Sequence, residues 1–110
     1  MMIIILDNKA NKTEIQQMSK EFAGYIKIVV DIEKKMLAGG AERHFDLEQK
    51  LLEEGSIQKD LWDGGIDLET REIDHNSMIN LRPRDNNPSR DILSEEIRLK
   101  FDKIVKDIIL

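Results

Sequence analysis

At 110 residues the chain is sized for one domain, and its 40% hydrophobic and 35% charged residues describe a globular protein with a densely charged surface. It has no cysteine, which excludes disulfides, thiolate chemistry, cysteine-ligated zinc and iron–sulfur clusters. With 17 basic against 22 acidic residues the net charge is −5, which counts against a nucleic-acid coat protein and against a binder of anionic membranes.

Met2-Ile3-Ile4-Ile5-Leu6 is apolar at every position, the pattern of a strand covered on both faces and central in a sheet. The stretch is too short for a signal peptide or a membrane span, so a cytoplasmic location is expected. Asn11 to Glu14 can form a capping box. Ile15, Met18 and Phe22 then follow at helical spacing up to Gly24, predicting a helix over about residues 12–23. Ile26, Ile28, Val30 and Ile32 recur with the period of a strand, and a hairpin through Glu33-Lys34-Lys35 leads to Met36-Leu37-Ala38, ended by Gly39-Gly40. Asp46-Leu47-Glu48-Gln49 repeats the capping-box pattern and opens a short helix closed by Gly55.

Trp62, Ile66 and Leu68, with Gly64-Gly65 between them, suggest an irregular or bulged strand. Arg71 to Asp74 and Met78 to Arg82 are two further extended candidates, and residues 83–89 have the composition of an irregular loop. Ser94 caps a last helix with Glu95 and Glu96 in its first turn and an apolar stripe of Ile97, Phe101, Ile104, Val105 and Ile108. The order β-α-β-β-α-β-β-α predicts a single α+β domain over residues 1–110. Its first six elements fit a ferredoxin-like core, with an added strand and a C-terminal helix.

The placement of charge is more informative than its sum. Five of the six arginines fall between residues 71 and 98, and three of them, Arg82, Arg84 and Arg90, share one loop with Asn80, Asn87 and Ser89. Guanidinium forks grip carboxylates and phosphates, and Asn and Ser add neutral donors, so this loop is a candidate anion site. The competing reading is structural. Residues 60–74 carry Asp60, Asp63, Asp67, Glu69, Glu72 and Asp74, and a sheet that joins the two segments would let the arginines close internal ion pairs. That acidic run lacks the order of an EF-hand and reads as a solvated face, so no metal site is expected.

Two histidines are present. In an extended backbone His44 would share a side with Glu42 and Asp46, either as a metal half-site or oriented base, or as a local turn before the helix. His75, beside Asp74, is a candidate general base with arginine assistance. Trp62 reads either as a core plug or as the anchor of an interface. No glycine-rich phosphate loop, Gly-x-Ser-x-Gly or His-Glu-x-x-His is present, and 5% aromatics are too few for a base-stacking platform.

Val29-Val30-Asp31-Ile32-Glu33-Lys34, Gly39-Gly40, His44, Leu51 to Ser56 and Asp60-Leu61-Trp62 resemble a small prokaryotic family known only as a domain of unknown function. So do Asp74, Ser77-Met78-Ile79-Asn80, Arg82-Pro83, Asn87, Ser89-Arg90 and Ile97-Arg98. Asn76 departs from the acidic or apolar residue expected at its position, which counts against a site centred on residues 74–77. The resemblance implies a stand-alone cytoplasmic protein of prokaryotes and brings no activity, cofactor or partner.

The reading that follows is a non-catalytic binding or protein-interaction domain. Its arginine loop would take a small anionic ligand or an acidic group of a partner protein, and exposed strand edges or Trp62 would allow a homodimer. The alternative is a small phosphodiester or RNA hydrolase that uses Asp74 and His75. No cofactor is expected.

Overall fold

The computed structural model describes residues 3–110. Its strands are β1 (Ile4–Leu6), β2 (Tyr25–Asp31), β3 (Met36–Gly39), β4 (Leu61–Asp67) and β5 (Ile73–Asp74). The helices are α1 (Lys12–Met18), α2 (His44–Glu53) and α3 (Glu95–Ile108), and short 3-10 turns span Gln58–Asp60, Met78–Asn80 and Pro83–Asp85. No helix among the described residues is long and apolar enough to cross a membrane.

All five strands join one antiparallel sheet in the order β1-β3-β2-β4-β5. The α+β architecture is the one the sequence predicts. Antiparallel pairing on both sides of β3 makes β1 and β2 parallel with β3 between them, and β3 and β4 are likewise parallel around β2. Each pair is joined through a helix, so the chain contains two split βαβ crossovers. The first three strands therefore follow the ferredoxin-like expectation, while β4 continues outward past β2. Both crossovers step the same way across the sheet but start from strands running in opposite directions. A common handedness then places their helices on opposite faces.

The core confirms this division. On one face Met18 of α1 and Phe101, Ile104 and Val105 of α3 pack with Ile28, Val30 and Trp62. On the other, Leu47 and Leu51 of α2 pack with Val29, Ala38 and Leu61. Val29 and its neighbours at 28 and 30 thus serve different layers, as the two-residue repeat of a strand requires. Burying each of the valine, leucine, isoleucine, methionine and phenylalanine side chains among these contributes about 1.5–3 kcal/mol.

Several local expectations are met. Asn11 and Glu14 close the capping box at 2.8 and 3.0 Å, and Ser94 Oγ accepts from Ile97 N–H. The hairpin turn after β2 is held by buried Asp31, whose Oδ1 accepts from Glu33 and Lys34 N–H and whose Oδ2 accepts from the Ser56 hydroxyl. Gly55 stands at φ 102° just after α2, a conformation side chains disfavour.

Others need correction. β1 lies at the edge of the sheet, not its centre, and Met2 of the predicted strand lies outside the described residues. α1 ends at Met18, because Met18 is the last residue of that stripe to be buried and Phe22 is left 36% exposed. α2 starts two residues before Asp46, with Arg43 at the N-cap position and no side-chain cap. The His44 ring fixes that start, its Nε2 lying 2.7 Å from the Gly64 carbonyl, while Asp46 pairs with Arg43. Residues 78–80 form a turn rather than a strand, for a reason visible at the edge of β4.

Candidate functional site

β4 runs for seven residues, but β5 pairs with it only at Gly65 and Ile66. The remaining edge groups of β4 would face solvent or stay unpaired in the interior. Side chains of the 75–91 loop take the place of the missing strand. Asn80 Oδ1 accepts from Asp63 N–H at 2.9 Å, and Asn80 Nδ2 donates back to the Asp63 carbonyl at 2.8 Å. One strand step further, Arg82 donates to the Leu61 carbonyl and to Gln58 O, and its guanidinium lies 4.0 Å from the centre of the Trp62 ring. Asn87 Nδ2 donates to the carbonyls of Asn80, Ser89 and Asp91, which ties the loop to itself.

The six residues proposed as an anion site therefore divide. Asn80 and Asn87 are buried and fully engaged in these bonds, and Arg82 serves the strand edge. Ser89 Oγ accepts from Asp91 N–H inside the loop. Arg84 and Arg90 are exposed and show no ion pair among the described residues, and Arg90 alone of the six reaches a cleft. Arg98 pairs with Asp91 at 2.9 Å.

The cleft is an open depression of about 620 Å³ between the start of α2, the ends of β2 and β5, and the 76–79 turn. Tyr25, Lys27, His44, Phe45, Asp74, Asn76, Ser77 and Arg90 line it. Its floor depends on glycine. The Tyr25 side chain crosses β4 directly over Gly65, where any Cβ would overlap its ring, and its hydroxyl donates to Asp74 Oδ2 at 2.6 Å on β5. At Gly64 a Cβ would run into the Asp74 carbonyl on the opposite face. Burial and the bonded Asp74 carboxylate push the Tyr25 hydroxyl above its usual pKa, so it stays a neutral donor.

Electrostatically the cleft is cationic on a chain of net negative charge. Lys27, Arg43 and Arg90 line it, against Asp74 as its one carboxylate. Lys27 Nζ donates to Glu42 O at 2.6 Å, and Arg43 holds Asp46 through two bonds. Burial holds His44 below the ordinary imidazole value, so it adds a neutral ring. The N-terminus of α2, with no side-chain cap, opens on the same space.

Behind Ser77 lies a second group of charges, of which Asp63 belongs to the acidic run expected to form a solvated face. Asp63 is fully buried and Glu48 is 4% exposed, and one oxygen of each has no hydrogen-bond partner. Desolvation raises both carboxyls, Asp63 well above the ordinary value with Glu48 adding to the shift, while Arg82 works against it. Burial in turn lowers Arg82.

Asp74 and His75 are not brought together. As adjacent residues of an extended segment they turn to opposite faces, Asp74 to Tyr25 and His75 to α3, where its Nε2 lies 2.6 Å from Asp102 Oδ1 and its ring meets Phe101 edge-on. Trp62 is 3% exposed and belongs to the core, with Arg82 over its ring. Helical backbone at His44 removes the alternation that would have aligned it with Glu42 and Asp46. Among the described residues no three His, Cys, Asp or Glu side chains are grouped to hold a metal ion.

A family model described as "Protein of unknown function (DUF5674)" matches residues 4–108, nearly the whole chain. The chain belongs to that family. No curated protein and no solved structure matches it. In this DUF5674 chain the stretch from Ser77 to Arg90 both closes the β4 edge and supplies one wall of the cleft. Tyr25, Gly64 and Gly65, which shape the floor, carried no motif in the sequence. Only the paired glycines inside an apolar strand signalled a close approach.

Proposed function

We propose that this protein is a non-catalytic binding domain of the prokaryotic cytoplasm whose cleft takes a small anionic group, with Arg90 as its principal contact. The observation that carries the reading is the charge of the cleft: with Arg43 paired to Asp46, Lys27 and Arg90 remain against the one carboxylate of Asp74 on a chain of net charge −5, and the Arg90 guanidinium is exposed and unpaired among the described residues. The Asp74 carboxylate is already occupied by the Tyr25 hydroxyl, which reduces its repulsion of an anion. Arg90 offers a two-pronged grip, Lys27 a point charge, and the start of α2 a favourable dipole.

The test is titration of ¹⁵N-labelled protein with inorganic phosphate and with adenosine monophosphate. Shifts confined to residues 43–46, 74–79 and 90 are expected. Arg90→Ala should weaken binding about tenfold, equivalent to about 1.4 kcal/mol, while Arg84→Ala leaves it unchanged. An unchanged spectrum with both anions overturns the proposal.

A further inference from the structure

β1 presents a contradiction between its composition and its place. Ile3, Ile4, Ile5 and Leu6 form an uninterrupted apolar run, the composition of a strand flanked and covered on every side. The fold places β1 at the end of the sheet, paired only with β3. Its side chains reach both layers, Ile4 and Leu6 toward the α1/α3 face and Ile5 toward the α2 face, yet Ile4 and Ile5 remain only partly buried. Edge strands of soluble monomers are guarded by lysine, proline, a bulge or an inward charge. Residues 3–6 contain no charge and no proline, and the register with β3 runs without a bulge.

We infer that the outer edge of β1 is completed by β1 of a second copy of this chain, giving a continuous ten-stranded sheet across a two-fold axis. The occupant follows from self-complementarity. An antiparallel pair centred on Ile5 sets Ile5 opposite its own equivalent, and Ile4 opposite Leu6 of the partner and the reverse. A two-fold axis normal to the sheet keeps each layer with its like. On the α1/α3 face Ile4 then meets Leu6, and on the α2 face Ile5 meets Ile5. Across residues 4–6 every contact is aliphatic and none opposes like charges, with Ile3 falling opposite Asp7 of the second copy at the ends of the pair, and the partly buried isoleucines gain the flanking strand their composition calls for. The cleft lies beside β5 at the far end of the sheet order and stays open in such a dimer.

Because the chain has no cysteine, a single introduced thiol reads the geometry directly. Sedimentation equilibrium of the wild type is expected to give a dimer. Ile5→Cys under mild oxidation should form a covalent dimer in high yield, while Lys106→Cys, exposed on α3, should not. Ile5→Lys should shift the population to monomer, with circular dichroism showing whether the fold survives. A wild type that remains monomeric overturns the inference, including the case in which β1 serves a strand of some other protein. A dimer that fails to cross-link through position 5 overturns it equally, since the interface would then lie elsewhere.

Discussion

Asn80 pairs with Asp63 as a neighbouring strand would, its side-chain amide accepting from the Asp63 N–H and donating to the Asp63 carbonyl. The same Nδ2 also reaches the carbonyls of His75 and Arg90, so one side chain joins the sheet edge to both ends of the loop that walls the cleft. Asn80→Ala would leave an N–H and several carbonyls unpaired in the interior. A loss of about 3 kcal/mol is expected in urea denaturation, and Asn80→Asp should be no better, since it replaces the donor by a carboxylate facing carbonyls.

Gly65 is required by Tyr25. Gly65→Ala must displace the ring lying over it and so break the hydroxyl bond to Asp74. A destabilisation of about 1–3 kcal/mol is expected, with a change in tyrosine fluorescence because Tyr25 is the only tyrosine. Tyr25→Phe keeps the ring and loses only the bond, so it should cost less than Gly65→Ala. The reverse order would mean that the bond, not the fit of ring over backbone, governs the floor.

The buried ionisable groups set opposing pH dependences. Asp63 and Glu48 have folded-state pKa values raised by burial, so over that window the folded chain keeps protons that the unfolded chain has released. Stability then falls as pH rises from the ordinary carboxylate range toward the raised values. His44 is shifted the other way, below its ordinary 6.5, so its contribution is complete above that value and is lost as pH falls through it. Asp63→Asn should flatten the loss of stability as pH rises above the ordinary carboxylate range, while leaving the acid side unchanged. Equal slopes in urea midpoints for variant and wild type would show that Asp63 does not titrate in this range.

What the sequence conveyed and what it concealed follow from the range of each interaction. Capping at Asn11 and Ser94, the hairpin at 33–35 and the stripe of α3 are local, decided within a few residues, and all are legible. The course of β4 past β2 depends on which edge a distant strand joins, which no local pattern records. The arginine cluster was visible as a cluster, yet the division between Arg82 and Arg90 depends on how short β5 is, because an unpaired β4 edge draws Arg82 inward. Met78 to Arg82 alternated like a strand and instead forms a turn, because Asn80 is worth more as a side-chain substitute for a strand than as part of one.

That division between two arginines of one loop gives the sharpest contrast. Arg82 donates to Leu61 O and Gln58 O, covers Trp62 and offsets the charges of Asp63 and Glu48, whereas Arg90 is exposed at the cleft. Arg82→Ala should cost about 2 kcal/mol or more, and Arg82→Lys should recover little of it, because an ammonium cannot span two carbonyls while lying flat on an indole. Arg90→Ala should change stability by less than about 0.5 kcal/mol and yet weaken phosphate binding. Thermal denaturation and phosphate titration of the same two variants separate the roles. If Arg82→Ala, measured where it remains folded, abolishes anion binding while Arg90→Ala binds normally, the ligand contact lies at the β4 edge and not in the cleft.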